Sequence, residues 1–180
     1  MSFTRKNVWE LGSDWAEPIL WYGRAVKSMK ARAFTDKKSW RFWAATHGID
    51  KKKWERVGYW KKGDPVDFSP YWKQCQHGSW FFLPWHRGYV LAFEAVVRAD
   101  VVRLGGDPQW ALPYWNYFKT GQDKLPPAFS SPNWPDGNGD NPLYVPERYG
   151  PNNDGKVFVE LSEVNLGMLC TNANRVCLAV

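Results

Sequence analysis

Three histidines, His47, His77 and His86, are all that the 180-residue chain contains. They are not scattered. Two belong to the string Cys75-Gln-His77-Gly-Ser-Trp-Phe-Phe-Leu-Pro-Trp-His86-Arg87, and the third lies a short way upstream. Imidazole is the usual ligand for zinc, copper and non-haem iron, and three is the smallest number that furnishes one such site. A single His on an apolar helix face is ordinarily a core residue with one hydrogen-bond partner; three of three near one string point instead to a metal. The string carries no carboxylate, so the set suits copper or zinc rather than iron held by two His and a carboxylate. Spacing alone leaves copper and hydrolytic zinc both open.

Helices must bring these side chains together. Asp14 followed by Glu17 reads as a capping box, and Pro18 is tolerated in a first turn, so a helix is expected over Trp15–Ala33. Ile19, Tyr22, Val26, Met29 and Ala33 form its apolar stripe. A shorter helix is expected from Ser39 as N-cap to Gly48 as terminator, with Trp40, Trp43, Ala44 and His47 facing inward. The longest helix should open near Pro84 and stop at Gly105-Gly106-Asp107-Pro108. On it His86, Val90, Phe93, Val97, Val101 and Leu104 share one face, with Glu94 and Arg98 paired on the other side. Two antiparallel helices with a connecting turn could then bring His47, His77 and His86 to one point, as bundle cores do when they build metal sites. From Lys119 to Gly155 the texture changes to Pro-, Gly- and Asn-rich turn chemistry, a long irregular segment. Within it Asp136-Gly-Asn138-Gly-Asp140 alternates oxygen ligands, but it lacks the further residues of a calcium loop and reads as an Asx-rich turn.

Composition bounds the rest. A hydrophobic fraction of 44% with 23% charged residues excludes a disordered chain, and the length fits one domain. Lys and Arg outnumber Asp and Glu by 24 to 18, with basic runs at Lys37-Lys38, Lys51–Lys53 and Lys61-Lys62 close to aromatics. Such runs serve nucleic-acid surfaces, but no recognised binding motif accompanies them, and a solvated face is the expectation. Cys75, Cys170 and Cys177 are an odd set and no disulfide framework, although Cys170 and Cys177 could pair. No stretch approaches the ~18 apolar residues that span a membrane. The opening residues lack the apolar core of a secretory signal, so a cytoplasmic location is expected.

His77-x8-His86 with its intervening residues, followed by Tyr89 and Phe93-Glu94, resembles the first copper-binding (CuA) region of the tyrosinase family, which includes catechol oxidases and other polyphenol oxidases. Arg5-Lys-Asn-Val-Trp-Glu-Leu, Leu112-Pro-Tyr-Trp-Asn-Tyr and Asn141-Pro-Leu resemble other elements of that family, so the likeness covers roughly residues 5–145. The resemblance implies that His47, His77 and His86 are CuA ligands, and that Cys75 is cross-linked through sulfur to His77. A small buried thiol is the plainer alternative for Cys75.

The fold expected is mainly α, half of a tyrosinase-like four-helix bundle binding copper, with long aromatic- and Pro/Gly-rich loops. One domain is expected over residues 1–180, with a helical core at 14–105, a loop region at 119–155 and a C-terminal segment at 156–180. The activity implied is a copper oxidoreductase that uses dioxygen to hydroxylate or oxidise mono- or o-diphenols to o-quinones. The family's type-3 centre uses two coppers and six His, and no His follows His86. A second polypeptide carrying the CuB histidines, a homodimer, or a lone one-copper or metal-free domain are the three ways to reconcile this, ranked in that order. An aromatic-rich face left open by a missing helix pair would be expected to find a partner. Trp43, Trp80, Phe82 and Trp85 could line a phenol pocket, or simply be core. A dioxygen- or copper-binding module without catalysis, or a basic nucleic-acid binder, are the alternatives.

Overall fold

A computed structural model describes residues 3–145 apart from 57, 66–68, 123–124 and 138. Its helices are α1 (Glu17–Lys30), α2 (Trp40–His47), α3 (Lys51–Arg56), α4 (Phe82–Arg103) and the single turn α5 (Pro127–Ser130), preceded by a 3-10 turn at Val8–Glu10. The described residues contain isolated β-bridges and no named strand. A mainly helical architecture is therefore what the apolar periodicity pointed to.

α1 packs on both α4 and α2. Ile19, Ala25, Val26 and Met29 of α1 meet Val97 and Val101 of α4, all fully buried. Each of the larger aliphatic side chains is worth about 2 kcal/mol of burial. The stripe was legible, but its ends were not. α1 begins at Glu17 behind Ala16, with no side-chain cap, so the capping box expected at Asp14 does not form. Ser13 intervenes: its hydroxyl accepts from Trp15 N at 3.2 Å and its carbonyl from Ala16 N at 3.2 Å. That turn holds Asp14 and Trp15 outside the helix. At the other end Ala33 lies beyond the last turn and is exposed.

α4 begins two residues before Pro84, leaving the proline in the first turn where a missing N–H costs nothing. It stops at Arg103 because Gly105, at φ 95°, turns the chain. Leu104 is consequently outside the core. Glu94 pairs with Arg98 as expected, but away from the apolar face it is buried all the same, accepting from Arg5 Nε at 2.6 Å and from Arg98 Nη2 at 2.5 Å. Two guanidinium partners offset the desolvation that would otherwise keep a carboxylate out. Asp100, six residues on, is buried likewise between Arg32 and Arg103.

α2 is capped as expected: Ser39 Oγ accepts from Phe42 N at 3.0 Å, and Gly48 follows the last residue. Its faces differ from expectation. Phe42 and Ala45 are the buried positions, packed with Phe34 and Trp72 in a second cluster, while Trp40 and Trp43 are half-buried against the main core. α2 is thus wedged between two clusters, and no single face is the inward one. The basic run after it forms α3, a turn of helix not expected from the sequence, seated by Trp54 on the second cluster.

The described part of the 119–155 segment is tied down rather than loose. Asn141 Nδ2 donates to Ala128 O and Ser131 O at 2.7 Å, and Trp134 packs edge-on to Trp15 at 5.2 Å. Asn133 and Asp140 bridge across the Asp136 turn. The N-terminal element and the Pro-Tyr-Trp element lie side by side: Val8 N donates to Tyr114 O and Tyr114 N to Lys6 O, at 2.8 and 2.9 Å. Cys170, Cys177 and the expected C-terminal segment 156–180 lie outside the described residues.

Candidate metal centre

Each histidine is placed by a different local device. His47 is the last residue of α2, where a helix leaves carbonyls without partners. The chain at Trp72–Cys75 returns to satisfy them: Lys73 N donates to Ala45 O at 2.9 Å and Gln74 N to Thr46 O at 3.2 Å. Lys73 adopts a left-handed φ of 58° to make that approach, and Trp72 anchors it in the second cluster. Cys75 and His77 follow directly and so arrive beside His47. His86 stands in the first turns of α4, which faces α2 through Trp40–Phe93, Trp43–Tyr89 and His47–His86 ring contacts. Rising numbers on one helix meet falling numbers on the other, so the two helices are antiparallel.

The three imidazoles form a near-equilateral triangle, with ring centroids 5.7 Å (His47–His86), 5.8 Å (His47–His77) and 5.8 Å (His77–His86) apart. The ligand atoms of His47, Cys75, His77 and His86 all lie within 4.8 Å of one another. His77 is exposed and the others half-buried, so the cluster opens to solvent on the His77 side. No carboxylate belongs to it.

The donor chemistry fits a metal that takes neutral imidazole. His86 Nδ1 lies 2.7 Å from Phe82 O; donating its proton there leaves Nε2 as the lone-pair atom, the usual arrangement for a ligating histidine. His47 Nε2 is buried with no hydrogen-bond partner among the described residues, the kind of orphaned atom that calls for a ligand. Burial, then the charges of His86 and His77, hold the His47 pKa below its ordinary value, which keeps the ring neutral and able to coordinate. Cys75 Sγ sits 3.2 Å from His86 Nε2 and 3.5 Å from His77 Nε2. The resemblance singled out His77 alone; the structure brings the sulfur within reach of both rings.

Of the four aromatics expected near a pocket, Phe82 and Trp85 flank the imidazoles, at 4.3 and 4.8 Å from the His86 ring. Trp43 packs into the core against Tyr89 and Phe93, and Trp80 is 98% exposed. Tyr89 has a structural part that its place in the motif did not disclose. Its hydroxyl donates to Trp43 O at 2.8 Å, and its ring stacks on Trp85 at 5.2 Å. It therefore pins the last turns of α2 to α4 next to His47. Burial pushes its pKa well up, so it acts as a donor and not as a titrating group.

Comparison with known proteins gives the following. The family described as the common central domain of tyrosinase matches residues 37–169. Tyrosinase HcTyr1 of Hahella sp. (strain CCB-MM4) is 36% identical over 155 residues, 82% of this chain and 30% of that protein. The chloroplastic polyphenol oxidase of Malus domestica is 30% identical over 115 residues, 63% of this chain and 17% of that protein. Among solved structures, latent apple tyrosinase aligns over 98% of this chain and 32% of its own, with a TM-score of 0.59 and 25% identity. Tyrosinase from Burkholderia thailandensis aligns over 79% of this chain and 27% of its own, with a TM-score of 0.57 and 26% identity. The chain spans about a third or less of the length of these relatives.

Proposed function

This chain belongs to the tyrosinase family, and from that premise we propose that it carries one half of a copper phenol oxidase centre. Copper is the family's metal, and the donor set suits it. The observation that carries the reading is the triangle of His47, His77 and His86, together with the buried, unpartnered Nε2 of His47. When bound, copper supplies the redox chemistry by which dioxygen oxidises mono- or o-diphenols to o-quinones.

The protein's own contribution is positional. Phe82 O holds the His86 ring in the tautomer that frees Nε2, and the Tyr89 hydroxyl fixes the helix end that bears His47. His77, on the exposed side, stands where a phenol would approach, with Phe82 beside it at 6.0 Å. Phe82 and Trp85 are the flanking surfaces against which an aromatic ring would lie. Cys75 is assigned as a tether: loss of two hydrogens, one from the thiol and one from an imidazole carbon, to dioxygen as oxidant would leave a thioether to His77. An intact mass two hydrogens below the reduced value in a Cys170→Ser/Cys177→Ser variant is expected; an unchanged mass rejects the tether.

The second trio of imidazoles that the family's paired copper chemistry uses must come from outside these 180 residues, which hold three histidines in all. We assign it to a further stretch of polypeptide or a second subunit ahead of a second copy of this chain. Support comes from Trp80, Phe81 and Leu83, which precede His86 by six, five and three residues and are 98%, 68% and 74% exposed, apolar side chains that protein surface would ordinarily cover.

Two measurements decide the reading on the purified protein together with whatever chains accompany it. Metal analysis is expected to find copper; zinc at full occupancy overturns it. Quinone formation from 4-methylcatechol is expected; copper and dioxygen binding without quinone would make the protein a carrier.

A further inference from the structure

The chain's net charge is +6, yet it is concentrated in one short stretch. Residues 51–62 hold Lys51, Lys52, Lys53, Arg56, Lys61 and Lys62 against Glu55 alone, a net of +5 by six cations less one acid. The other 168 residues hold 18 cations and 17 acids, the remainders of 24 and 18. Of the acids that border the stretch, Asp64 is engaged by Arg41.

The fold keeps the described basic residues of this stretch together, and α3 directly follows the helix that ends in His47. α3 displays Lys51, Lys52 and Arg56 at exposed positions. The chain then turns back, Tyr59 N and Trp60 N both donating to Trp54 O at 2.8 and 3.1 Å. Lys51 Nζ consequently lies 5.6 Å from the Trp60 ring centroid, which sets exposed Lys61 and Lys62 beside α3. The platform underneath is the second aromatic cluster, whose opposite wall is α2 itself, the helix that ends in His47. Three residues separate His47 from Lys51, so α3 starts within about 15 Å of that ligand at full extension. No acidic side chain belongs to the metal cluster to counter the field.

We propose that this cationic stretch steers substrate, making the adjoining copper site selective for phenols that carry a negative charge, such as a ring bearing a carboxylate side chain. The proposal rests on the oxidase reading above and names its substrate class. Five net charges, if centred about 15 Å from the site, would raise the local concentration of a monoanion about three- to fivefold at 10 mM ionic strength, and less than about 1.5-fold at 200 mM. A neutral catechol feels no such field.

The test uses the copper-loaded enzyme in its complete form and compares kcat/KM for 3,4-dihydroxyphenylpropionate, 4-methylcatechol and dopamine at 10 and 200 mM ionic strength. The expected result is that the ratio of anionic to neutral substrate falls about threefold or more between the two salts, and that the ratio for cationic dopamine rises. In K52Q/K61Q/K62Q the salt dependence of the anionic-to-neutral ratio should be at least halved. Lys51 is left in place because it pairs with Glu55 and covers Trp60. A ratio that ignores salt in the unsubstituted enzyme overturns the proposal, whatever the variant does. So does an unchanged salt dependence in a folded variant, which would make the stretch an ordinary solvated face. Failure of all three substrates, 4-methylcatechol included, would instead remove the oxidase reading and the steering with it.

Discussion

At the scale of the residue, the centre depends on imidazoles held neutral and aimed. His86→Ala removes one corner of the triangle. Copper per chain is expected to fall from near one to near zero, a loss beyond the roughly 10- to 100-fold that disturbing a ligand's supporting partner costs. Metal analysis of the purified variant checks it, and retained copper would unseat His86 as a ligand. His47 adds a pH dependence. Its folded pKa lies below its ordinary value because burial penalises the cation. The unfolded chain therefore binds the proton first as pH falls. The stability held with a neutral ring is intact above about 6.5 and is lost as pH drops through that value toward the lowered one. The thermal midpoint of the metal-free protein should fall between pH 7 and 5, with a shallower fall in His47→Gln; parallel curves would show that His47 is not the group responsible.

At the scale of the element, the site is only as well placed as the ends of α2 and α4. Ser39 is fully buried, its hydroxyl donating to Phe34 O at 3.3 Å while accepting from Phe42 N at 3.0 Å. Ser39→Ala loses both bonds at the start of the helix that carries His47. A cost of about 1–2 kcal/mol is expected, or a thermal midpoint lower by about 2–8 °C in a chain of this size. A midpoint within a degree of the parent would mean that the second cluster alone sets α2. The elements also show where sequence reading stops. Ser39, Gly48 and the Gly105-Gly106 stop were legible because caps and turn residues act through adjacent backbone. The helix over Lys51–Arg56 was not, since its reason is Trp54 packing on Phe34, 5.8 Å away in a cluster assembled from distant segments.

At the scale of the whole molecule, α1 is the hub that α2 and α4 share, and the end of α4 is drawn tight against it at Gly106. A Cβ there would come within 2.5 Å of Val101 Cγ1 and 2.7 Å of Trp21 Cδ2. Gly106→Ala is therefore expected to cost about 1–3 kcal/mol through overpacking, read as a lower urea midpoint with an unchanged slope. An unaltered midpoint would show that Trp21 swings aside freely. The same packing explains the buried acids of α4. Glu94 belongs to an apparently solvent-facing i, i+4 pair in sequence, yet Arg5, 89 positions away, supplies the second cation that lets it be buried.

The sequence alone determined which atoms could bind a metal and roughly which helices carried them. Residue type, caps and the period of apolar positions are local properties; they left copper and zinc open, and the likeness of the string from Cys75 to Arg87 to the tyrosinase family pointed to copper. Only the tertiary structure decided that the three rings close to one triangle. That required the Trp72–Cys75 backbone to dock on the end of α2, and the Tyr89 hydroxyl to clamp α2 against α4. It also decided that Cys75 faces two imidazoles and that the basic residues of α3 stand on the aromatic cluster that α2 shares. These are long-range matters of which surfaces bury one another, and no window of sequence contains both partners.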